Sequence, residues 1–126
     1  MEGTEDEVWA AALHRLGDNV DPAAATDDAL LSAALQMERA RRALDAASTR
    51  ILGELDARGT TDFEVGMRTP RWLAHHAGTA GSTASARVKV GRALRGPLAD
   101  VAPLLDRGEI SFDHAKALAD ACNPRI

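Results

Sequence analysis

Residues 65–99 hold Arg68, Arg71, Arg87, Lys89, Arg92 and Arg95 and not one aspartate or glutamate. That window is formally +6 in a chain of net charge −4, so the remainder sums to −10. Guanidinium and ammonium groups gathered without carboxylates hold oxyanions, most often the phosphates of nucleic acid. Other chemistry-bearing residues are sparse. The histidines are His14, His75, His76 and His114, and the single cysteine is Cys122. His75 and His76 adjoin, and neighbours on a helix point about 100° apart, a poor arrangement for shared metal ligation. The chain has no His-x-x-x-His, Cys-x-x-Cys, P-loop, dinucleotide fingerprint or Gly-x-Ser-x-Gly spacing. Gly78-Thr79-Ala80-Gly81 reads as a turn. No carboxylate pair reads as catalytic. The expectation is a binding protein with no catalytic residue, no metal and no cofactor.

Helices must position these cations. Thr69-Pro70 reads as a cap followed by proline at the first helical position. Trp72, Leu73 and Ala77 give that helix an apolar face, and Gly78 closes it. Ser82 reads as the cap of a second helix reaching Leu94. Together they have the layout of a helix-turn-helix, whose second helix enters the DNA major groove while the first sits on the backbone. At about 100° per residue, Ala84, Val88, Gly91 and Leu94 face inward, while Ser85, Lys89 and Arg92 share another side. Lys89 and Arg92, with Ser85, are the candidates for the groove. Ser82 and Thr83 at the helix start, with Arg68, Arg71, Arg87 and Arg95, are the candidates for phosphates. The plainer alternative is a packing unit whose basic helix is solvated or pairs with acidic helices of the same chain.

The rest of the chain predicts an all-α fold. Alanine, leucine, arginine and glutamate dominate, and β-branched runs are absent. The expected architecture is a helical bundle on one long helix (about 27–58), with the helix-turn-helix-like pair (about 70–94) and short C-terminal helices. With 126 residues, one domain is expected: an N-terminal helix and linker over 1–25 and a core over 26–126. A capping box at Thr4–Glu7 starts the first helix, with Trp9, Ala12, Leu13 and Leu16 on one side, and Gly17 ends it. Thr26 caps the long helix, Asp27 and Asp28 suit its first turn, and Gly59 stops it. Leu30, Met37, Leu44 and Ile51 recur every seven residues, with Ala34, Arg41, Ser48 and Leu55 between them. This stripe is either the floor for the later helices or, over Leu30 to Leu55, a homodimer seam. Residues 60–67 read as a loop with Phe63 and Val65 tucked in. Leu98 to Leu105 mark a short helix bent at Pro103. Gly108 ends it, Ser111 caps the last helix, and Asn123 and Pro124 stop that.

One cysteine suits a reducing compartment. The acidic start is unlike a signal peptide, and no stretch approaches the roughly 18 apolar residues of a membrane span. A soluble, cytoplasmic protein without membrane contact is expected.

Three stretches resemble a known family when taken in order. They are the arginine-studded helix ending Leu52-Gly53-Glu54-Leu55-Asp56-Ala57-Arg58-Gly59; the Arg68-Thr69-Pro70-Arg71-Trp72-Leu73-Ala74 run with residues 82–94; and Leu104-Leu105-Asp106-Arg107-Gly108-Glu109-Ile110-Ser111-Phe112-Asp113-His114-Ala115-Lys116-Ala117-Leu118. Over residues 27–122 the chain resembles the 13E12-repeat family of actinobacteria, domain of unknown function 222 (DUF222). Such proteins usually join this helical region to a C-terminal HNH nuclease module. The resemblance therefore implies a DNA-associated role, with duplex DNA as partner. Residues 1–126 hold no HNH module and no zinc-knuckle cysteines, so it transfers nuclease chemistry to no residue here. The sequence is then a piece of a longer protein or a shortened relative. The stretch from Gly108 to Ala115 also looks like a helix start in ParB-type partition proteins, which would place His114 or Lys116 near DNA; a serine cap with Ile110 packed on Ala115 explains it equally.

Overall fold

The computed structural model describes residues 5–18 and 20–122. Among them are seven helices and no strand. They are α1 (Glu5–Asp18), α2 (Asp27–Arg58), α3 (Thr60–Val65), α4 (Thr69–Ala77), α5 (Gly81–Leu94), α6 (Ala102–Asp106) and α7 (Phe112–Ala121). The capping residue Thr4, the side chains of Trp9 and Leu16, and Asn123 with Pro124 lie outside the described residues. The chain divides into two compact units, Met1–Glu38 and Arg39–Ile126. The border falls within α2, beyond the linker where composition changes.

In the first unit, Thr26 Oγ1 accepts the Ala29 amide at 3.1 Å, the expected cap of α2. Asp27 and Asp28 follow in the first turn, where the helix dipole favours negative charge. Val8, Leu13, Leu31 and Leu35 are all exposed.

In the second unit, glycines end three elements as expected. Gly59, Gly78 and Gly108 take φ of 66°, 67° and 72°, a left-handed conformation that costs other residues strain. Ser111 Oγ accepts the His114 amide at 3.1 Å and caps α7. Three local expectations are corrected. Residues 60–65 are helical, and Phe63 and Val65 are exposed at 87% and 52% instead of tucked in. Thr69 and Ser82 are not caps, because the caps are Arg68 and Ala80, one and two residues earlier. Thr69 is instead buried, its hydroxyl 3.3 Å from that of buried Thr61, which joins α3 to α4. Pro103 lies in the first turn of α6 and starts that helix where a bend was expected.

The core gathers Ala46 of α2, Val90 of α5, Leu98, Leu105 of α6, and Ala115 and Ala119 of α7. Ala84, Val88 and Gly91 are buried on α5 as the wheel predicts, but so is Val90, on another side. The helix is therefore covered on two faces. On α2 the buried residues are Ala46, Thr49, Leu52 and Gly53, while Leu44 and Ile51 of the seven-residue stripe are more than half exposed. The floor of this unit is thus a face of mostly small residues with Leu52, which widens the stripe, and the stripe's Leu44 and Ile51 lie off it.

That choice of face has a steric cause. A Cβ on Gly91 would lie 2.6 Å from the Thr49 carbonyl oxygen and 2.9 Å from the Gly53 nitrogen. A Cβ on Gly53 would lie 2.7 Å from the Gly91 carbonyl oxygen. The backbones of α2 and α5 touch, and only glycine fits on either side. Neither neighbour is a flexible side chain that could swing away. Gly91→Ala is expected to destabilise the protein by about 2–3 kcal/mol, within the range for overpacked sites. Thermal unfolding monitored by circular dichroism should show Tm lowered by roughly 10 °C, whereas Gly81→Ala, with open space around its Cβ, should move it far less. Equal Tm for Gly91→Ala and the unaltered protein would contradict the close crossing.

Candidate functional site

The six cations of the acid-free window fall into two groups. Three are matched by carboxylates of other elements. Arg92 Nε and Nη2 donate to the two carboxylate oxygens of Asp56 on α2 at 3.0 and 3.2 Å. This hydrogen bonding holds the Arg92 guanidinium above its ordinary pKa, against a smaller opposing effect of burial. Lys89 Nζ donates to Asp120 on α7 at 2.8 Å, and Lys116 reaches the other oxygen of that carboxylate at 3.2 Å. Arg95 donates to Glu54, which also accepts from Arg58 at 2.7 Å. The Arg58 bond first, then Arg95, holds the Glu54 carboxyl below its ordinary pKa. Lys89 first, then Lys116, does the same for Asp120. The side that carries Ser85, Lys89 and Arg92 is therefore bound at Lys89 to α7 and at Arg92 to α2.

Arg68, Arg71 and Arg87 form the second group, with no side-chain hydrogen bond or ion pair among the described residues. Arg68 and Arg71 line an open cleft of about 420 Å³ with Pro70, Ala74, Gly81 and Ser85. No carboxylate borders it. Arg68 caps α4 with extended backbone, and its carbonyl accepts the Trp72 amide at 2.9 Å, which fixes where the arginine leaves the helix. Gly81 opens α5 on the other wall. The Ala84 amide is satisfied by the Ala80 carbonyl at 2.9 Å, but Ala80 has no side-chain oxygen for the earlier amides. The N–H groups of Gly81, Ser82 and Thr83 thus start α5 without a side-chain cap, and Ser82 and Thr83 are exposed. The structure brings Arg68, Arg71 and Ser85 to one cleft, with the first turn of α5 at Gly81. Arg87 is half-buried and, two positions beyond Ser85, leaves α5 on the opposite side. It is not part of this cleft. Nor do His75 and His76 converge on a ligand: their rings meet edge to face at 5.0 Å, and His76 Nδ1 lies 3.1 Å from the Trp72 carbonyl oxygen.

Charge is also sorted between the two compact units. Residues 1–38 carry nine acidic residues and one arginine, a formal −8; residues 39–126 carry ten acidic and fourteen basic residues, a formal +4. The −10 outside the basic window thus comes mostly from the first unit. Asp56, Glu54 and Asp120 are the site-shaping residues that pattern reading missed. Helical spacing explains Glu54 with Arg58 and Asp120 with Lys116, but the α5 partners of these three carboxylates lie 31 to 41 positions away, beyond any such rule.

These pairs set an acid limit. A carboxylate whose folded pKa is depressed adds stability above its unfolded pKa and loses it as pH falls through the folded value. Glu54 and Asp120 should leave stability flat from pH 7 down to about 4.3, the ordinary glutamate value, and lower it below that. Tm measured against pH should show this decline, shallower in Glu54→Gln. A Tm that rises between about pH 4 and 3 would contradict the pairing.

No helix among the described residues is long and apolar enough to cross a membrane. No curated protein and no solved structure matches the chain. The family model for the domain of unknown function DUF222 matches residues 31–124. That range holds the α4–α5 cleft and every ion pair around it, and it is most of the chain: the protein belongs to the DUF222 family.

Proposed function

We propose that the chain is a DNA-binding or targeting domain of an HNH-endonuclease-associated protein and is not itself catalytic. One observation carries this reading: the uncapped start of α5 opens beside Arg68 and Arg71, in a cleft that no carboxylate borders. Backbone amides at a helix N-terminus and arginine forks both suit phosphate. The surrounding layout supports duplex DNA as its source, since α4, the Gly78 turn and α5 follow one another as in a helix-turn-helix. Arg68, Arg71, Ser82, Thr83 and Ser85 take the phosphate contacts, and Arg87 adds a further one from its own side of α5. Lys89, Arg92 and Arg95 contribute less, because a phosphate must displace a carboxylate to reach them. The HNH association rests on the sequence resemblance, and a cytoplasmic setting on the single cysteine.

Binding to a fluorescent duplex, titrated against salt, tests the reading. If Arg68, Arg71 and Arg87 each engage one phosphate, log K should fall with log[salt] at a slope near −2.7, about −0.9 per phosphate. Arg68→Gln with Arg71→Gln should reduce the steepness by roughly 2, while Lys89→Ala with Arg92→Ala should change it little. Absence of binding at low salt, or a slope indifferent to Arg68 and Arg71, would sink the proposal.

A second reading, a helical interaction or dimerisation module, has its own observation. Leu30, Leu31 and Leu35 in the first unit and Leu44 and Ile51 in the second are exposed on α2. Light scattering across a wide concentration range decides this: a homodimer through Leu30 to Leu55 predicts a doubled mass that Leu44→Glu with Ile51→Glu abolishes. A strict monomer at the highest concentration excludes it.

A further inference from the structure

A second cluster of arginines lies outside the α4–α5 cleft. Arg39 and Arg42 stand three residues apart on α2, hence on one face of the helix. With Arg107 and Gly108 from the turn after α6 they line a small cleft of about 250 Å³. The left-handed Gly108 reverses the chain there, and its carbonyl oxygen accepts Arg42 Nη1 at 3.0 Å in a partly buried bond. Arg42 is thereby held in place by a bond that uses only part of its donor fork. Four carboxylates lie close by: Glu38 and Asp45 flank Arg39 and Arg42 on α2 and each has a partner, and the two from the end of α6 and the turn after it are paired with cations. Asp106, in the cleft wall, pairs with Arg50, and Glu109 pairs with Arg107 at 2.6 Å. The Glu109 pairing holds the Arg107 guanidinium above its ordinary pKa. Arg39 has no carboxylate partner among the described residues.

We propose that this cleft is an oxyanion site that takes a single phosphate group through Arg39 and Arg42, with Arg107 at its edge. Like charges converging on one cleft repel, and an anion placed between them removes that cost while using donors the protein leaves free. Guanidinium forks match the oxygens of a tetrahedral phosphate better than a lone ammonium would. The bond from Arg42 to the Gly108 carbonyl orders one fork in advance, so less side-chain freedom is lost on binding. The phosphate has two sources, a free ion or the backbone of a nucleic acid. The site stands on α2 and the α6–α7 turn and is independent of Arg68 and Arg71.

Arginine Nε–Hε signals in NMR spectra separate the possibilities. Inorganic phosphate should shift the Arg39 and Arg42 signals along a saturable curve, with the exposed Arg15 as internal control. Arg39→Gln should weaken that curve about tenfold, the expected loss for one charge-assisted contact, and Arg39→Lys should restore part of it. The Arg39 side chain makes no hydrogen bond or ion pair among the described residues, so this variant is expected to leave Tm unchanged. A short duplex that shifts the same signals, and is displaced by phosphate, identifies the backbone as the source. Saturation by phosphate with no response to duplex identifies the free ion. Linear shifts equal to those at Arg15 overturn the site. Failure of the α4–α5 reading would show separately, at the signals of Arg68 and Arg71.

Discussion

The contact of the α2 and α5 backbones at Gly53 and Gly91 is the constraint from which the rest of the second unit follows. Helices that meet through large side chains keep their axes about 8–10 Å apart. Here a Cβ on either glycine would intrude on the opposing backbone at less than 3 Å. The close approach brings the residues beside the crossing within ion-pair reach. Asp56 and Glu54 on α2 meet Arg92 and Arg95 on α5 as a consequence. The opposite side of α5 is covered by the core around Val90 and by α7, where Lys89 meets Asp120. The first turn of α5, from Gly81 to Thr83, is exposed, and there the helix has no side-chain cap.

The ion pairs matter more for charge distribution than for stability. Lys89 with Asp120 and Arg95 with Glu54 join solvent-exposed side chains, and such pairs are screened by water and salt and add little. Arg92 with Asp56 is the best formed, because it is bidentate and the Asp56 side chain is only 19% exposed. What the pairs do is match three cations of the acid-free window with carboxylates from elsewhere. Positive charge without local compensation is left at Arg68 and Arg71, on the wall of a cleft. A window of six equivalent cations in sequence becomes a small site with a definite place.

Much of the local structure was legible because it follows short-range rules. Thr26 and Ser111 cap helices, and Gly59, Gly78 and Gly108 end them, each for a reason contained within a few residues. The helix at residues 60–65 was legible in retrospect: Gly59 and Gly66 bracket it, and Asp62 sits in its first turn. The buried face of α2 was not. A hydrophobic pattern draws attention to Leu44 and Ile51, yet of the large apolar residues in this half of α2 only Leu52 is buried, beside Ala46, Thr49 and Gly53. Small residues carry little hydrophobic signal, and their value lies in letting a partner backbone approach. The same limit applied to the site. Sequence spacing placed Lys89 and Arg92 on one side of α5 correctly, but Asp120 and Asp56 come from other helices, and only the tertiary fold brings them there.

The net charge of −4 and an isoelectric point near 5.5 suggest at first sight a protein that phosphate backbones repel. The partition of charge argues otherwise. Residues 39–126 are formally +4, and the acidity belongs to residues 1–38. Electrostatic influence between exposed charges fades over about 8 Å at physiological salt, so an anion responds to the groups lining its own cleft, not to the sum over the chain. Near Arg68 and Arg71 there is no carboxylate in the cleft wall, and the α5 amides add partial positive charge. Low salt lengthens that range, and the acidic residues would then oppose binding more strongly. At the lowest salt the slope should therefore flatten, and the value set by Arg68, Arg71 and Arg87 holds where the screening range is short.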